Sequence, residues 1–585
     1  MTELIEGYCP PTLEKKPEDP KDKKPLTIRI ILMCDGTNNN QANIAERDKF
    51  EVGKEKESAS HKEFGTIGSS YDNGRTNIAT MEPHVESGEG VGGYSFVAKV
   101  YVQGQGTFNF KKDSNFFGKG MGALSSGVYQ RAREGINDAL TLVQEKLLDK
   151  KKPEKYFIKQ VDVDVFGFSR GAATARHAIH VVTTEETIVV ANPSGYGAQT
   201  VVTNQPLFDR LRTTYGYSEM CKDHVKVIFA GLYDTVVSVN ASQLMPAWIA
   251  NNTRSQQAVA KAKFALHLAA ADEHRQDFPL HRITSATKSG TGAEYFLPGV
   301  HSDIGGSYNL ANEELLVDGE EKKDARIREL KGEGNYFKLA AQKEELEALG
   351  YEAVLEETAY MYTQYGQRIS TLGRLYTYRQ ISGLEYTRPS DEVDRVINRG
   401  RVSALKEDME QLKADGWYKS GQIVIDVDYF ATTVRTAASV LKAVIDPFGA
   451  YEDGSPKSGR LIVNRKNIHS GYCTLPLKFM VEHSRKQAIL INPKLDRRIS
   501  IILDTWPGFK SLEAALRKYM TAKGLTGSKP SDWNNINEAK GWYAGIRTLR
   551  NKQLHMSSAF TIPVMDPGFT PRFEGNRRRR FYYEG

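Results

Sequence analysis

Cysteine is scarce in this chain. Its 585 residues hold four, Cys9, Cys34, Cys221 and Cys473, scattered and without a CxxC pair. This argues against a disulfide framework or a zinc site and fits assembly in a reducing cytoplasm. Long apolar runs are missing as well. None approaches the roughly 18 residues of a spanning helix. The opening stretch MTELIEGYCPPTLEKKPEDPKDKKP lacks the apolar core of a Sec signal. A protein built this way that acts outside its cell is expected to travel by another route. There is no internal repeat and no GxxxxGK(S/T) phosphate loop. Charge of one sign is not in large excess. A formal net charge of +7 permits contact with anionic lipid or nucleic acid but demands neither.

What is present reads as a globular protein, 40% hydrophobic and 26% charged. Its length allows a large core and more than one domain. One stretch organises the rest: Val161 to Ala175, VDVDVFGFSRGAATA. Tyr156 to Phe166 is rich in β-branched and aromatic residues and predicts a strand. Gly167-Phe168-Ser169-Arg170-Gly171 breaks it, and Ala172, Ala173, Ala175 and Ala178 follow at helical spacing. Strand, G-x-S-x-G and helix are the context of a nucleophile elbow. So tight a turn needs no bulk two residues before and after the serine, which Gly167 and Gly171 satisfy. An ordinary glycine-rich turn is the plainer alternative. Asp162 and Asp164 fit a central parallel strand poorly, since such strands are apolar on both faces. Either they are paired or the strand's start is solvated.

Residues 1 to about 25 are Pro- and Lys-rich and predict an extended arm. Leu26 to Cys34 predicts a buried strand, ending in the turn Asp35-Gly36-Thr37-Asn38-Asn39-Asn40. Gln41 to Gly93 reads as loop, Tyr94 to Val102 as a strand, Gly118 to Ser126 as flexible, and Val128 to Leu148 as an amphipathic helix. His224 to Leu232 predicts a strand ending at Tyr233-Asp234-Thr235. Ala258 to Ala271 reads as helix. Ala293 to Leu297 reads as a short strand before Pro298-Gly299-Val300-His301. Alternating strands and helices imply a parallel sheet. After Leu310 the composition shifts. Residues 311–450 read as a helical insertion, a cap or a membrane-contacting module, helical over Glu313 to Leu349 and much of Val402 to Leu412. Val434, Ala438, Leu441 and Ile445 form an apolar stripe suited to the core or to a lid. Residues 451–585 complete the fold, with a short strand at Ile499 to Leu503. A basic tail follows, in which Arg577 to Arg580 precede Phe581, Tyr582 and Tyr583.

Ser169, Asp234 and His301 each follow a predicted strand, in the chain order expected of α/β-hydrolases. His301 would take the proton of Ser169, and Asp234 would fix its tautomer. The oxyanion would meet the backbone N–H of Arg170 and a second donor from Gly36 or Thr37. His177, His267, His274 and His281 compete with His301, and Asp272, Asp277 and Asp303 with Asp234. Asp303, two residues from His301, is better suited to shaping that loop. No metal or cofactor is required. Two other classes stay open. One is a metal-dependent phosphohydrolase using Asp35, which would need further clustered acidic ligands. The other is a non-catalytic binding or scaffold protein that uses the basic tail.

The segments CDGTNNN, TNIA, GFSRGAATAR, GLYDTV, AADEHR and LPGVHSDIGGSY, in this order and spacing, resemble the type VI secretion lipase effectors of the first family. The resemblance spans about Leu26 to Tyr308, giving a catalytic core over 26–310. It implies an α/β-hydrolase fold, a triad falling on Ser169, Asp234 and His301, and phospholipase A activity on membrane glycerophospholipids. It also implies an antibacterial toxin carried on a spike protein into the target periplasm, with a cognate immunity protein in the producer and no nucleic-acid partner. The non-catalytic alternative would then be a spike-associated binding protein.

Overall fold

The computed structural model describes residues 19–49, 70–71, 73–113, 127–191, 198–237, 255–275, 278–308, 325–335, 352–362, 368–380, 389–427, 451–452, 455–456, 458–534, 536–557, 573–574, 577–578 and 582–583. A seven-stranded sheet lies at its centre. In chain order the strands are β1 (Lys24–Cys34), β2 (Gly88–Glu89), β3 (Phe96–Val102), β4 (Tyr156–Phe168), β5 (Val225–Tyr233), β6 (Phe264–Ala270) and β7 (Gly292–Leu297). Their spatial order is β7-β6-β5-β4-β1-β3-β2. All neighbours are parallel except β2, which runs antiparallel to β3. The carboxyl ends of β1, β4, β5 and β7 therefore share one edge, where open α/β sheets bind ligands.

Strand alternation builds two apolar layers. Leu26, Ile28, Ile30 and Leu32 of β1, with Val161, Val163 and Val165 of β4, face the helices Val128–Val143 and Arg170–Thr183. Ile31 and Met33, with Phe166 and Phe168, face the opposite layer, which includes Leu475, Leu477 and Met480 of helix Thr474–Lys486. Each such side chain, fully buried, contributes about 1.5–3 kcal/mol. The aspartates of β4 are paired. Arg29 Nε donates to Asp164 Oδ2 at 2.6 Å, and its terminal nitrogens also reach the carbonyls of Gln487 and Ala488 at 2.8 Å. Asp162 accepts from Tyr94 OH at 2.6 Å and from Gln160 at 2.7 Å. Burial pushes Asp164 up to about 6, against the pull of Arg29.

Several local expectations are corrected. Ala258 to Ala271 is not a helix: a 3-10 turn at Ala258–Lys261 leads into β6. Its alanines favour helix intrinsically, but FALHLAA is buried between β5 and β7, and strand pairing overrides that preference. Ile499 to Leu503 is not a strand but part of helix Lys494–Asp504. Its buried residues Leu495, Arg498, Ile499, Ile502 and Leu503 recur at helical spacing. Within Gln41 to Gly93, helices form at Gln41–Lys49 and Asn77–Met81.

The stretch Glu313 to Leu349 contains a strand, Ala325–Asn335, which pairs antiparallel with Arg368–Gln380. Helical charge spacing there yields to non-local pairing. Residues 311–450 also hold strands Glu352–Tyr362, Pro389–Arg401 and Ile423–Val427, so the described part is not mainly helical; helix Val402–Ala414 is the one helical expectation met. The apolar stripe Val434 to Ile445, most of the N-terminal arm, Gly118 to Ser126, Arg579 and Arg580 lie outside the described residues. Among the described residues no helix is long and apolar enough to cross a membrane.

Candidate active site

The elbow forms where β4 ends at Phe168 and the helix Arg170–Thr183 begins. Ser169, between them, has φ 59° and ψ −129°. A non-glycine residue there costs about 1–3 kcal/mol and persists only when its surroundings hold it. They do so through the main chain. Ser169 N donates to Tyr233 O at 3.1 Å, and Ser169 O accepts from Ala172 N at 3.0 Å and Val236 N at 3.3 Å. Both elbow glycines are sterically required. A Cβ on Gly167 would lie 2.4 Å from the carbonyl oxygen of Gly171, and one on Gly171 would lie 2.3 Å from that of Cys34.

Asp234 follows β5 with φ +39°. Its main-chain N–H donates to Leu268 O at 2.8 Å, and its Oδ1 accepts from Ala270 N at 2.8 Å. Its other oxygen, Oδ2, lies 2.5 Å from Nδ1 of His301. His301 opens the short helix His301–Gly305 after β7. Its ring packs 4.5 Å from the ring of Phe168 and meets the edge of Phe278 at 5.0 Å, centroid to centroid. The contact with Phe168, the residue before Ser169, brings the imidazole to the elbow. Since the carboxylate can only accept, Nδ1 carries the proton and Nε2 is left without one. Burial pushes His301 below its ordinary pKa, and Asp234 partly offsets this. The net effect favours the neutral ring, the form in which an imidazole can accept a proton. Ser169 Oγ has no hydrogen bond to another described residue, an arrangement common before substrate arrives.

The oxyanion side changes one expectation. The N–H of Gly36 donates to the carboxylate of its neighbour Asp35 at 2.7 Å and is already engaged, which favours Thr37 as the second donor. The Thr37 hydroxyl accepts from Arg170 Nε at 2.5 Å, which holds the turn against the first residue of the elbow helix. The N–H groups of such a first turn lack helical partners and favour developing negative charge.

The competing residues have other attachments. His267 lies in β6, where its Nδ1 meets Glu294 at 2.9 Å and its Nε2 accepts from Thr235 N at 3.1 Å. His177 lies inside the elbow helix. His274 Nε2 meets Met556 Sδ at 3.2 Å, and His281 stacks on Tyr583 at 4.9 Å. Asp272 pairs with Arg550 at 3.0 Å. Asp303 accepts from Val300 N at 3.0 Å and pairs with His555 at 2.8 Å, shaping the loop as its position suggested. Asp277 lies outside the described residues. Among those described, no group of three or more His, Cys, Asp or Glu could hold a metal.

Sequence reasoning assigned no role to Glu273. It is buried and accepts from His301 N at 3.2 Å and from Ser557 Oγ at 2.9 Å. Its place in AADEHR at the end of β6 was the available signal.

A family model described as the type VI secretion system phospholipase effector Tle1-like catalytic domain matches residues 28–326. Among curated proteins none matches the chain. Among solved structures, one described as the Tle1 effector bound to the VgrG spike from the type 6 secretion system is 15% identical; the match covers 96% of this chain and 94% of that one, with a TM-score of 0.44. Another, described as an uncharacterized protein from Pseudomonas aeruginosa, is 20% identical; the match covers 49% of this chain and 42% of that one, with a TM-score of 0.27.

Proposed function

We propose a mechanism for this chain from the premise that it belongs to the Tle1-like phospholipase effectors of the type VI secretion system. Our reading is a phospholipase A that cleaves glycerophospholipid esters with Ser169 as nucleophile, His301 as base and Asp234 as the group that orients it. The observation that carries it is the 2.5 Å pairing of Asp234 with His301 beside the strained elbow.

Ser169 Oγ attacks the ester carbonyl carbon, and its proton passes to His301 Nε2. The imidazolium is stabilised by Asp234. The tetrahedral oxyanion lies between the N–H groups of Arg170 and Thr37, each such donor being worth roughly 3 kcal/mol of barrier. Collapse breaks the bond to the lysophospholipid oxygen, which leaves with the proton from Nε2. Water then attacks the acyl-enzyme and gives its proton to Nε2. The acyl–serine bond breaks, the proton returns to Ser169, and the fatty acid departs.

Family membership supports delivery by the secretion apparatus, and we extend it to an antibacterial effector carried on a spike protein, with an immunity protein in the producer. The proposed site of action is the target periplasm. Phospholipid hydrolysis by wild type and Ser169→Ala, measured side by side as released fatty acid, tests the chemistry; undiminished release by Ser169→Ala would overturn it. Toxicity after export to the periplasm, but not from the cytoplasm, tests the compartment. Equal toxicity from both would count against it.

A further inference from the structure

Asp35 is the charged residue of the signature turn that the reaction above leaves unused. It ends the run from β1 into Gly36 and Thr37 and is 1% exposed. Its carboxylate accepts three hydrogen bonds, each from a different place. Oδ1 accepts from Gly36 N and from Thr76 Oγ1, both at 2.7 Å, and Oδ2 accepts from Tyr101 OH at 2.6 Å.

Thr76 carries the connection further. Its hydroxyl caps the helix Asn77–Met81 by accepting from Ala79 N at 3.0 Å. Its main chain forms an antiparallel bridge with Gly306, the residue after the helix that starts at His301. Ser307 N donates to Arg75 O at 3.1 Å, and Asn77 Nδ2 donates to Ile304 O at 2.9 Å. One carboxylate thus joins the oxyanion turn to the element that presents the catalytic histidine.

The cost of this arrangement is informative. The three donors are neutral, and a buried carboxylate held only by neutral donors is expensive; burial pushes Asp35 up to about 6. A turn alone would not need a charge there. An ionised carboxylate, however, can only accept, so it fixes the direction of all three donors at once.

We propose that Asp35 is a positioning residue. It orients the Gly36-Thr37 turn so that the Thr37 N–H faces the developing oxyanion, and it locks that turn to the His301 helix through Thr76. This rests on the reading of Ser169 as the nucleophile.

The test uses the full-length protein on a short-chain aryl ester and its thionoester analogue. Sulfur accepts hydrogen bonds poorly, so an ordered oxyanion hole favours the oxygen ester. Asp35→Asn keeps the shape but turns one acceptor into a donor facing Tyr101 OH. It should lower kcat on the oxygen ester about 10–100-fold, a part of what losing one oxyanion donor costs, with KM changed little. The oxygen-to-thiono ratio of kcat/KM should fall with it. Tyr101→Phe, which removes one donor and leaves the charge, should move the ratio the same way by less. If Asp35→Asn fails to fold, that variant carries the test.

A kcat equal to or above wild type would overturn the proposal, as would a lower kcat at an unchanged ratio, which marks a merely structural role. Ser169→Ala is assayed alongside. Activity surviving in it would overturn the nucleophile reading itself and this proposal with it, a result distinct from failure of Asp35 alone.

Discussion

Asp234→Asn is the sharpest probe of the candidate triad, because the structure dictates how the amide would sit. The carboxylate has one oxygen on the fixed N–H of Ala270 at 2.8 Å and the other on His301 Nδ1 at 2.5 Å. In the variant, the amide oxygen must face Ala270. The opposite orientation sets two donors against each other and leaves a buried N–H unmade, at about 1–3 kcal/mol. The amide NH2 is then forced onto His301 Nδ1, which has to accept. The ring proton moves to Nε2, and the base that should receive the Ser169 proton is lost. Asparagine tolerates the φ of +39° at this position, so the backbone need not move. In serine hydrolases this tautomer error costs about 10⁴ in kcat. At 1.36 kcal/mol per decade that is roughly 5 kcal/mol of barrier.

The assay is kcat on a soluble ester, with circular dichroism and a melting curve to show that the variant is folded. Because Asp234 raises the pKa of His301, its neutralisation should also shift the acid limb of any residual activity to lower pH. A folded Asp234→Asn protein within tenfold of wild type would refute the assignment.

His177 has both ring nitrogens without a partner among the described residues, and burial pushes it down to about 3. The unfolded chain then binds more protons than the folded one between about pH 6.5 and 3, so stability falls as pH drops through that window, by up to about 1.4 kcal/mol per unit. His177→Phe should raise the melting temperature more at pH 5 than at pH 8; equal shifts would refute this. Arg29→Met strands the buried carboxylate of Asp164 and should cost about 3–5 kcal/mol in urea unfolding, with a loss under 1 kcal/mol counting against it. Gly171→Ala puts a Cβ 2.3 Å and 2.4 Å from the carbonyl oxygens of Cys34 and Asp35. The turn proposed to hold the oxyanion must shift, and since a 1 Å misplacement can cost about 10² in rate, kcat should fall by about that factor; wild-type turnover would show that the turn is free to move. A chain ending at residue 326 should be insoluble or inactive, and a soluble, active one would refute the dependence argued below.

The candidate catalytic edge was legible because its signals are local. Strand, glycine, serine, glycine and small-residue helix lie within Val161 to Ala175, and the structure puts β4, Ser169 and the helix there. Asp234 was legible directly after the apolar run that became β5, and His301 in the short loop after the run that became β7. The errors have physical reasons too. Alanine-rich Ala258 to Ala271 carries a helical preference that burial between two strands overrides. Gly36 and Thr37 are equivalent in sequence; only the direction of one N–H separates them. The partners of Asp35 at Thr76 and Tyr101 lie 41 and 66 residues away, a distance that no periodicity reports.

The same reasoning explains why the matched segment 28–326 does not hold all the contacts of its candidate site. The loops after β6 and β7 bury Asp272, Glu273 and Asp303, and each finds a partner within residues 550–557: Arg550, Ser557 and His555. Glu273 also pairs with Arg275 of its own loop at 3.1 Å, but Asp272 and Asp303 would lose Arg550 and His555, and a buried carboxylate left without its partner costs several kcal/mol. Glu273 in turn accepts from the main chain of His301, so the candidate base is set partly by residues near 557. That end is itself held. Arg465, on the strand Ser458–His469, donates to the carbonyls of Arg550 and Leu554 and to Glu392, and Glu392 accepts from Met556 N at 2.9 Å. Arg395 donates to the carbonyls of Met556 and Ser557. The strand pair Pro389–Arg401 and Ser458–His469 therefore grips 550–557, which props the loop that begins at His301. Geometry at the imidazole of His301 thus depends on residues 550–557, and disorder in the second half should silence the proposed site while leaving Ser169, Asp234 and His301 in the chain.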